Sequence, residues 1–347
     1  MEKAETPIDA EIDHSALHVL SNEPAGMVAC DECDPDHIMS AMRLSPTTMS
    51  KPAFLMNFPF SYSTRAANNA WMTDIADDER HVDQQRAVQQ FMQLYNYLAS
   101  DALVYVLPTP PDNQLQDLVF TANLGLVLEH LPDKNTVIVS NYASPPRMGE
   151  TPVGDSFFRS LGYDTIIPPY KFEGEAELKY LYDNVYIGGY GQRTEKACYE
   201  WMEDEFDMKI VKVEEADPYL YHLDCSLFPI TREDTMVCAE MYTRKELKAM
   251  EKVTNVIDVS ADAAFSGICN SVRLHNSILN SSHLHTLKSG TDQYREEISK
   301  NRELEDIASS FGMEIAYFNL NEYHKGGALL SCMVMHLNRR SYDFSLM

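Results

Sequence analysis

From Ala53 almost to the C-terminus, apolar runs of strand length alternate with amphipathic stretches of helix length, and this alternation fixes the fold class before anything else. Strands are predicted at AFLMNF, ALVYVLP, LVFTANLGLVLEH, NTVIVS, YDTIIP, NVYIGGY, MKIVKV, HLDCSLFPI, TMVCAEMY, NVIDVS, CNSVRLHNSIL, MEIAYFNL and ALLSCMVMHL. Helices are predicted over 81–100, 153–161, 194–204, 244–252 and 292–311. In the first of them Val82, Ala87, Val88, Phe91, Leu94, Tyr95 and Leu98 recur at helical spacing and form the expected buried face. Elements so interleaved imply one α/β domain over 51–347. Within it there is no linker rich in Pro, Gly or Ser and no visible fixed-period repeat.

Residues 1–50 differ. They are acidic and weakly periodic, and they are expected to form a poorly ordered extension. Its CDEC string, with Cys30 and Cys33, resembles half of a zinc site, but no second pair completes four ligands, so no metal is expected. Seven cysteines make an odd count without a disulfide framework, which points to free thiols in a reducing, cytoplasmic setting. Neither a membrane-spanning apolar run nor a secretory leader is evident. A formal net charge of −25 repels nucleic acid and anionic lipid alike and attracts small cations, although the same excess also serves solubility.

Four strings carry candidate chemistry. In GGALLSCMVMHL, Gly326 and Gly327 free the backbone to turn just before an apolar run bearing Cys332. In YHLDCSLFPI, His222 and Asp224 are two apart, so on a strand they share a face, and a carboxylate beside an imidazole suits acid/base work near neutral pH. FEGEAE places Glu173, Glu175 and Glu177 around Gly174. In QDLVFTANLGLV, the polar Asp117, Thr121 and Asn123 interrupt an apolar stretch and need partners, which a ligand can supply.

Taken in order with FLMNFPF, NNAWM and GGYGQRTE, these strings resemble the guanidino-group-modifying enzymes over roughly 53–340. That superfamily includes amidinotransferases, arginine deiminases, dimethylarginine hydrolases and arginine dihydrolases. FTAN, FEG and YHLD are most similar to the arginine dihydrolases. The resemblance implies a five-bladed α/β propeller (the pentein fold) with pseudo-fivefold symmetry. It also implies a hydrolase of C–N bonds in linear amidines that needs no cofactor. Cys332 is then the nucleophile, His222 the acid/base, Glu173 the guanidinium-binding carboxylate and Asp224 a support to the histidine. Asn123, Asn69, Arg147, Arg193, Asp117 and Glu177 fall at substrate-binding positions, the two arginines where the family binds the substrate carboxylate. The sequence departs from the family pattern at Ala70, at Ala176 and Glu177, and in having fewer glycines before Cys332.

A guanidinium carbon is a poor electrophile, and a thiolate attacking while an imidazole protonates the departing amine overcomes that. Asn123 stands where deiminases and dimethylarginine hydrolases carry aspartate. An aspartate repels the carbonyl oxygen of a citrulline intermediate, whereas an asparagine donates to it, so a second attack can follow and give ornithine, ammonia and carbon dioxide. The residues leave three alternatives open: release of citrulline, transfer to an amine acceptor, and arginine binding without catalysis.

Overall fold

The computed structural model describes residues 45–111 and 115–343; Cys30, Cys33 and the expected extension up to residue 44 lie outside them. The described chain forms five three-stranded sheets. The first sheet contains β1 (Ala53–Asn57) and β2 (Leu103–Leu107), and the second β3 (Gly125–Val127), β4 (Thr136–Val139) and β5 (Asp164–Ile166). The third holds β6 (Leu178–Tyr182), β7 (Val185–Tyr190) and β8 (Lys209–Glu214), and the fourth β9 (Leu227–Pro229), β10 (Asp234–Val237) and β11 (Asn255–Asp258). The fifth is β12 (Val272–Leu274), β13 (Ser277–Ser281) and β14 (Glu314–Phe318).

One plan is repeated in every sheet: two strands pair antiparallel, a helix follows, and a third strand joins in parallel. The parallel pairs β1/β2, β4/β5, β7/β8, β10/β11 and β13/β14 enclose helices Gln84–Asp101, Glu150–Ser160, Lys196–Phe206, Arg244–Met250 and Asp292–Ser310. The first sheet is completed by β15 (Met335–His336) from the far end of the chain, which pairs antiparallel with β1. This closes the ring and removes one pair of open edges. The five-bladed α/β propeller implied by the resemblance is therefore the fold. Its repeat lies in the topology and not in residue identities, which is why no period shows in the sequence.

Side-chain chemistry explains where each element lies. Asp83 caps the Gln84–Asp101 helix by accepting from Arg86 N at 3.1 Å, and Ala87, Phe91, Leu94 and Leu98 form its buried stripe. The apolar side chains gather into five clusters, each wedged between adjacent blades; one joins Leu126, Ile138 and Phe172 to Tyr186, Tyr199 and Ile210. With hydrocarbon placed between blades, the axis is left to the polar side chains that precede each inner strand. Strands β3, β9 and β12 are buried throughout, while β5, β11 and most of β14 are partly exposed at the rim.

Three of the expected strands begin later than the sequence suggests. Thr121–Asn123 and Ser331–Met333 are single 3-10 turns, and Leu223–Ser226 is one helical turn, each followed by a short strand. His222 and Asp224 therefore do not share a strand face; His222 is extended at φ −136° and Asp224 lies one step into the turn. The chain turns at the axis because carbonyls and amides there lack a ladder partner, and a local turn satisfies them.

Among the described residues no helix is long and apolar enough to cross a membrane, and no group of three or more His, Cys, Asp or Glu side chains could hold a metal ion.

Candidate active site

Each turn before an inner strand carries polar side chains to the axis, and there they bound a narrow buried cavity. Its walls include Asn68, Asn69, Asp117, Asn123, Arg147, Arg193, Tyr221, His222 and Cys332. Glu173 sits immediately behind, fully enclosed, and it reaches the cavity through its partners. His222 Nε2 lies 2.8 Å from Glu173 Oε2, Arg193 Nη1 donates to the same oxygen at 3.2 Å, and Ala143 N donates to Oε1 at 3.3 Å. Burial alone raises this carboxyl's pKa. The hydrogen bond from His222 and the charges of Arg193, His222 and Arg147 outweigh it and hold the pKa down at about 2. Burial depresses His222 more than Glu173 raises it, so the imidazole, charged at the low pH where Glu173 titrates, is neutral near pH 7, and Nε2–H then donates to Glu173.

Gly174 makes this arrangement possible. Its φ is +68°, and a Cβ there would press on Ala122 O at 2.7 Å and Asn123 C at 2.8 Å, so only glycine lets the acidic turn lie against the FTAN turn. Asn123 Nδ2 is 3.3 Å from His222 Nε2 and 3.5 Å from Glu173 O, both at the long limit of a hydrogen bond. Because Nε2–H is already committed to Glu173, the Asn123 amide is held loosely beside the His222–Glu173 pair.

Cys332 is 4% exposed. Its sulfur lies 3.6 Å from Asp224 Oδ2 and accepts from Asn270 Nδ2 at 3.4 Å, while Ser331 Oγ donates to Asp224 Oδ2 at 2.6 Å. Burial, and then the Asp224 charge, push the thiol up to about 12, so it rests protonated.

The remaining candidates serve as frame or wall. Arg147 pairs with Glu150 through Nε at 2.9 Å and Nη2 at 2.8 Å, and Nη2 also donates to the carbonyls of Asp117 and Phe120, each at 3.2 Å. It braces the segment leading to Asn123. Asp117 accepts from Asn68 Nδ2 at 2.6 Å and Gln116 Nε2 at 3.3 Å. Asn69 accepts from Met72 N at 2.9 Å and donates to Gly326 O at 2.9 Å, tying the NNAWM segment to the glycine pair. Arg193 also donates to Asn68 O at 2.6 Å and covers the Tyr221 ring at 5.0 Å.

Glu177 stands apart from the cavity wall. Its Oε2 accepts from Leu223 N at 3.3 Å, while its Oε1 and both oxygens of Glu215 are buried with no protein donor other than a proton on the facing carboxyl. The two carboxyls face each other and together retain a proton. Burial, with the nearby Asp224 and Glu173 charges, lifts Glu215 to about 8 despite its bond to Glu177. A carboxyl whose folded pKa exceeds its unfolded value stabilises the fold while protonated, and that stability fades as pH rises through the folded pKa. Glu215→Gln, neutral throughout, is expected to gain on the native protein between about pH 5 and about pH 8, by on the order of 3 °C in Tm. Thermal unfolding at the two ends of that window checks this; a constant difference refutes the shared proton.

Asn68, Tyr221, Asn270, Ser331, Glu150 and Glu215 were not anticipated from sequence. For Asn270 the one signal is CNSVRL, a polar turn before an inner strand like TANLGLV, legible only once the fivefold plan is known.

The chain is 24% identical over 301 residues to the bifunctional arginine dihydrolase/ornithine cyclodeaminase AgrE of Nostoc sp., covering 85% of this chain and 39% of that protein, so it spans about two fifths of the bifunctional relative. It is 29% identical over 196 residues to the N(G),N(G)-dimethylarginine dimethylaminohydrolase of Mycobacterium tuberculosis, covering 55% of this chain and 61% of that one. The crystal structure of the N-terminal domain of ArgZ, a cyanobacterial arginine dihydrolase bound to product, superposes with a TM-score of 0.71 at 24% identity, covering 83% of this chain and 97% of that one. Residues 56–339 match the family described as N,N dimethylarginine dimethylhydrolase, eukaryotic, and the chain belongs to that family.

Proposed function

We propose that the protein hydrolyses the guanidino group of free arginine to ornithine, two ammonia and carbon dioxide, with Cys332 as nucleophile, His222 as acid/base and Glu173 as guanidinium anchor. The observation that carries the reading is that Glu173 already grips a guanidinium, that of Arg193, beside a neutral imidazole on a cavity that the Cys332 sulfur also lines. An incoming arginine presents the same planar cation and exchanges with Arg193 at the carboxylate. The released Arg193 is then available to meet the substrate carboxylate at the cavity wall.

The bound cation lowers the thiol pKa, and the sulfur adds to the guanidino carbon. The thiol proton passes through His222 to one NH2 group, which leaves as ammonia, and an S-alkylthiouronium remains on Cys332. Water, deprotonated by His222, adds to that carbon, and the C–S bond breaks to return the thiol and leave a ureido group. The Asn123 amide donates to the ureido oxygen and retains it for a second attack and a second ammonia. Hydrolysis of the resulting thiocarbamate gives a carbamate that loses carbon dioxide.

Mass spectrometry of the products from arginine, dimethylarginine, agmatine and citrulline tests the reading. Arginine and citrulline are expected to yield ornithine. Asn123→Asp is expected to shift the product from ornithine to citrulline by at least about tenfold in ratio, because a carboxylate repels the ureido oxygen. An unchanged ratio removes the asparagine from the explanation.

A further inference from the structure

Four blades supply the axis with side chains discussed above: Asn123 before β3, Glu173 before β6, His222 and Asp224 before β9, and Cys332 before β15. The remaining blade ends its approach in Gly267–Ser271, just ahead of β12. Gly267, at φ +84°, reverses the chain, and Asn280 Nδ2 braces the turn through Gly267 O at 2.9 Å and Ser271 Oγ at 2.8 Å. The residue this turn delivers to the axis is Asn270, 3% exposed.

The orientation of the Asn270 amide follows from its partners. Ser331 N is a donor and lies 2.8 Å from Oδ1, so the oxygen faces Ser331 and the NH2 group faces the Cys332 sulfur, with Nδ2 at 3.4 Å. We propose that Asn270 is a catalytic hydrogen-bond donor to Cys332, stabilising the sulfur as it becomes an anion; this rests on Cys332 being the nucleophile. A thiol is a weak acceptor and a thiolate a strong one, so the bond strengthens as the proton leaves. The nearest charged group acts the other way. Asp224 repels the anion, and Tyr221 and Cys225 lie close by; Asn270 leads the opposition to burial and Asp224, ahead of a backbone hydrogen bond at Leu329 and the Lys179 charge. By holding Ser331 N as well, the same side chain fixes the turn that aims the sulfur.

Asn270→Ala removes the donor without adding charge. Well below the thiol pKa the rate of iodoacetamide alkylation scales with the thiolate fraction, so a pKa change is read at neutral pH from that rate on the Cys332 peptide by mass spectrometry, with kcat measured on arginine. The pKa is expected to rise by about one unit or more, leaving about tenfold less thiolate at neutral pH, and kcat to fall on the order of 100-fold. Asn270→Ser, whose hydroxyl is too short to reach the sulfur, is expected to do the same and serves if the alanine variant does not fold. An unmoved thiol pKa overturns the proposal even if kcat falls, because the side chain would then only position the turn. Cys332→Ser separates the two readings. If that variant stays active, the nucleophile is wrong; if it is inert while both Asn270 variants keep the native thiol pKa, only this inference fails.

Discussion

Replacing Cys332 by serine is expected to reduce ammonia release from arginine on the order of 10⁴-fold or more, with arginine binding largely kept. Serine is nearly isosteric, and the turn from Ser331 to Met333 is held by Asn270 and Asp224 through Ser331. What changes is the acidity of the attacking atom. Burial and Asp224 already push the thiol to about 12, and on the proposed mechanism the docking guanidinium offsets this. A hydroxyl starts several units higher, beyond what one bound guanidinium can offset. Steady-state ammonia assays, with arginine binding by calorimetry as control, check this. Undiminished turnover would remove the thiouronium from the mechanism.

Glu173→Gln is expected to lower kcat/KM by on the order of 10² to 10³, and more through arginine binding than through the chemical step. The native carboxylate is fully buried, held at about 2, and so is anionic at every pH where the fold is useful. It balances Arg193 and fixes the imidazole of His222. Glutamine keeps the shape but not the charge, leaving Arg193 without its counter-ion and, on the proposed reading, the substrate guanidinium without its anchor. Because Glu173 favours the charged imidazole, its loss lowers the His222 pKa further, and the acidic limb of the kcat profile moves to lower pH. An unchanged KM or acidic limb contradicts this placement of Glu173.

The alternation of apolar strands and amphipathic helices was enough to indicate a single α/β domain. The stripe from Ala87 to Leu98 places the longest early helix within a few residues, because a helix face is a local property. The string GGALLSC singled out Cys332, yet nothing in the string itself distinguishes a nucleophile from a core thiol; the nucleophile role is what the colinear family resemblance implies. Turn and strand could not be told apart at FTAN, HLDC and LSCM. Their apolar neighbours read as strand, while the decision to turn is made by the missing ladder partner at the axis.

By itself, then, the sequence determined the class of fold and the residue types able to perform guanidino chemistry, since periodicity and functional groups are properties of short segments. Only the tertiary structure decided that Arg193 rests on Glu173, that Glu177 faces Glu215 and not the cavity, and that Asn270 touches the sulfur. The first two contacts join separate turns of the third blade, and the third joins two blades that meet because β15 closes the ring onto β1; none of them is a property of a short segment.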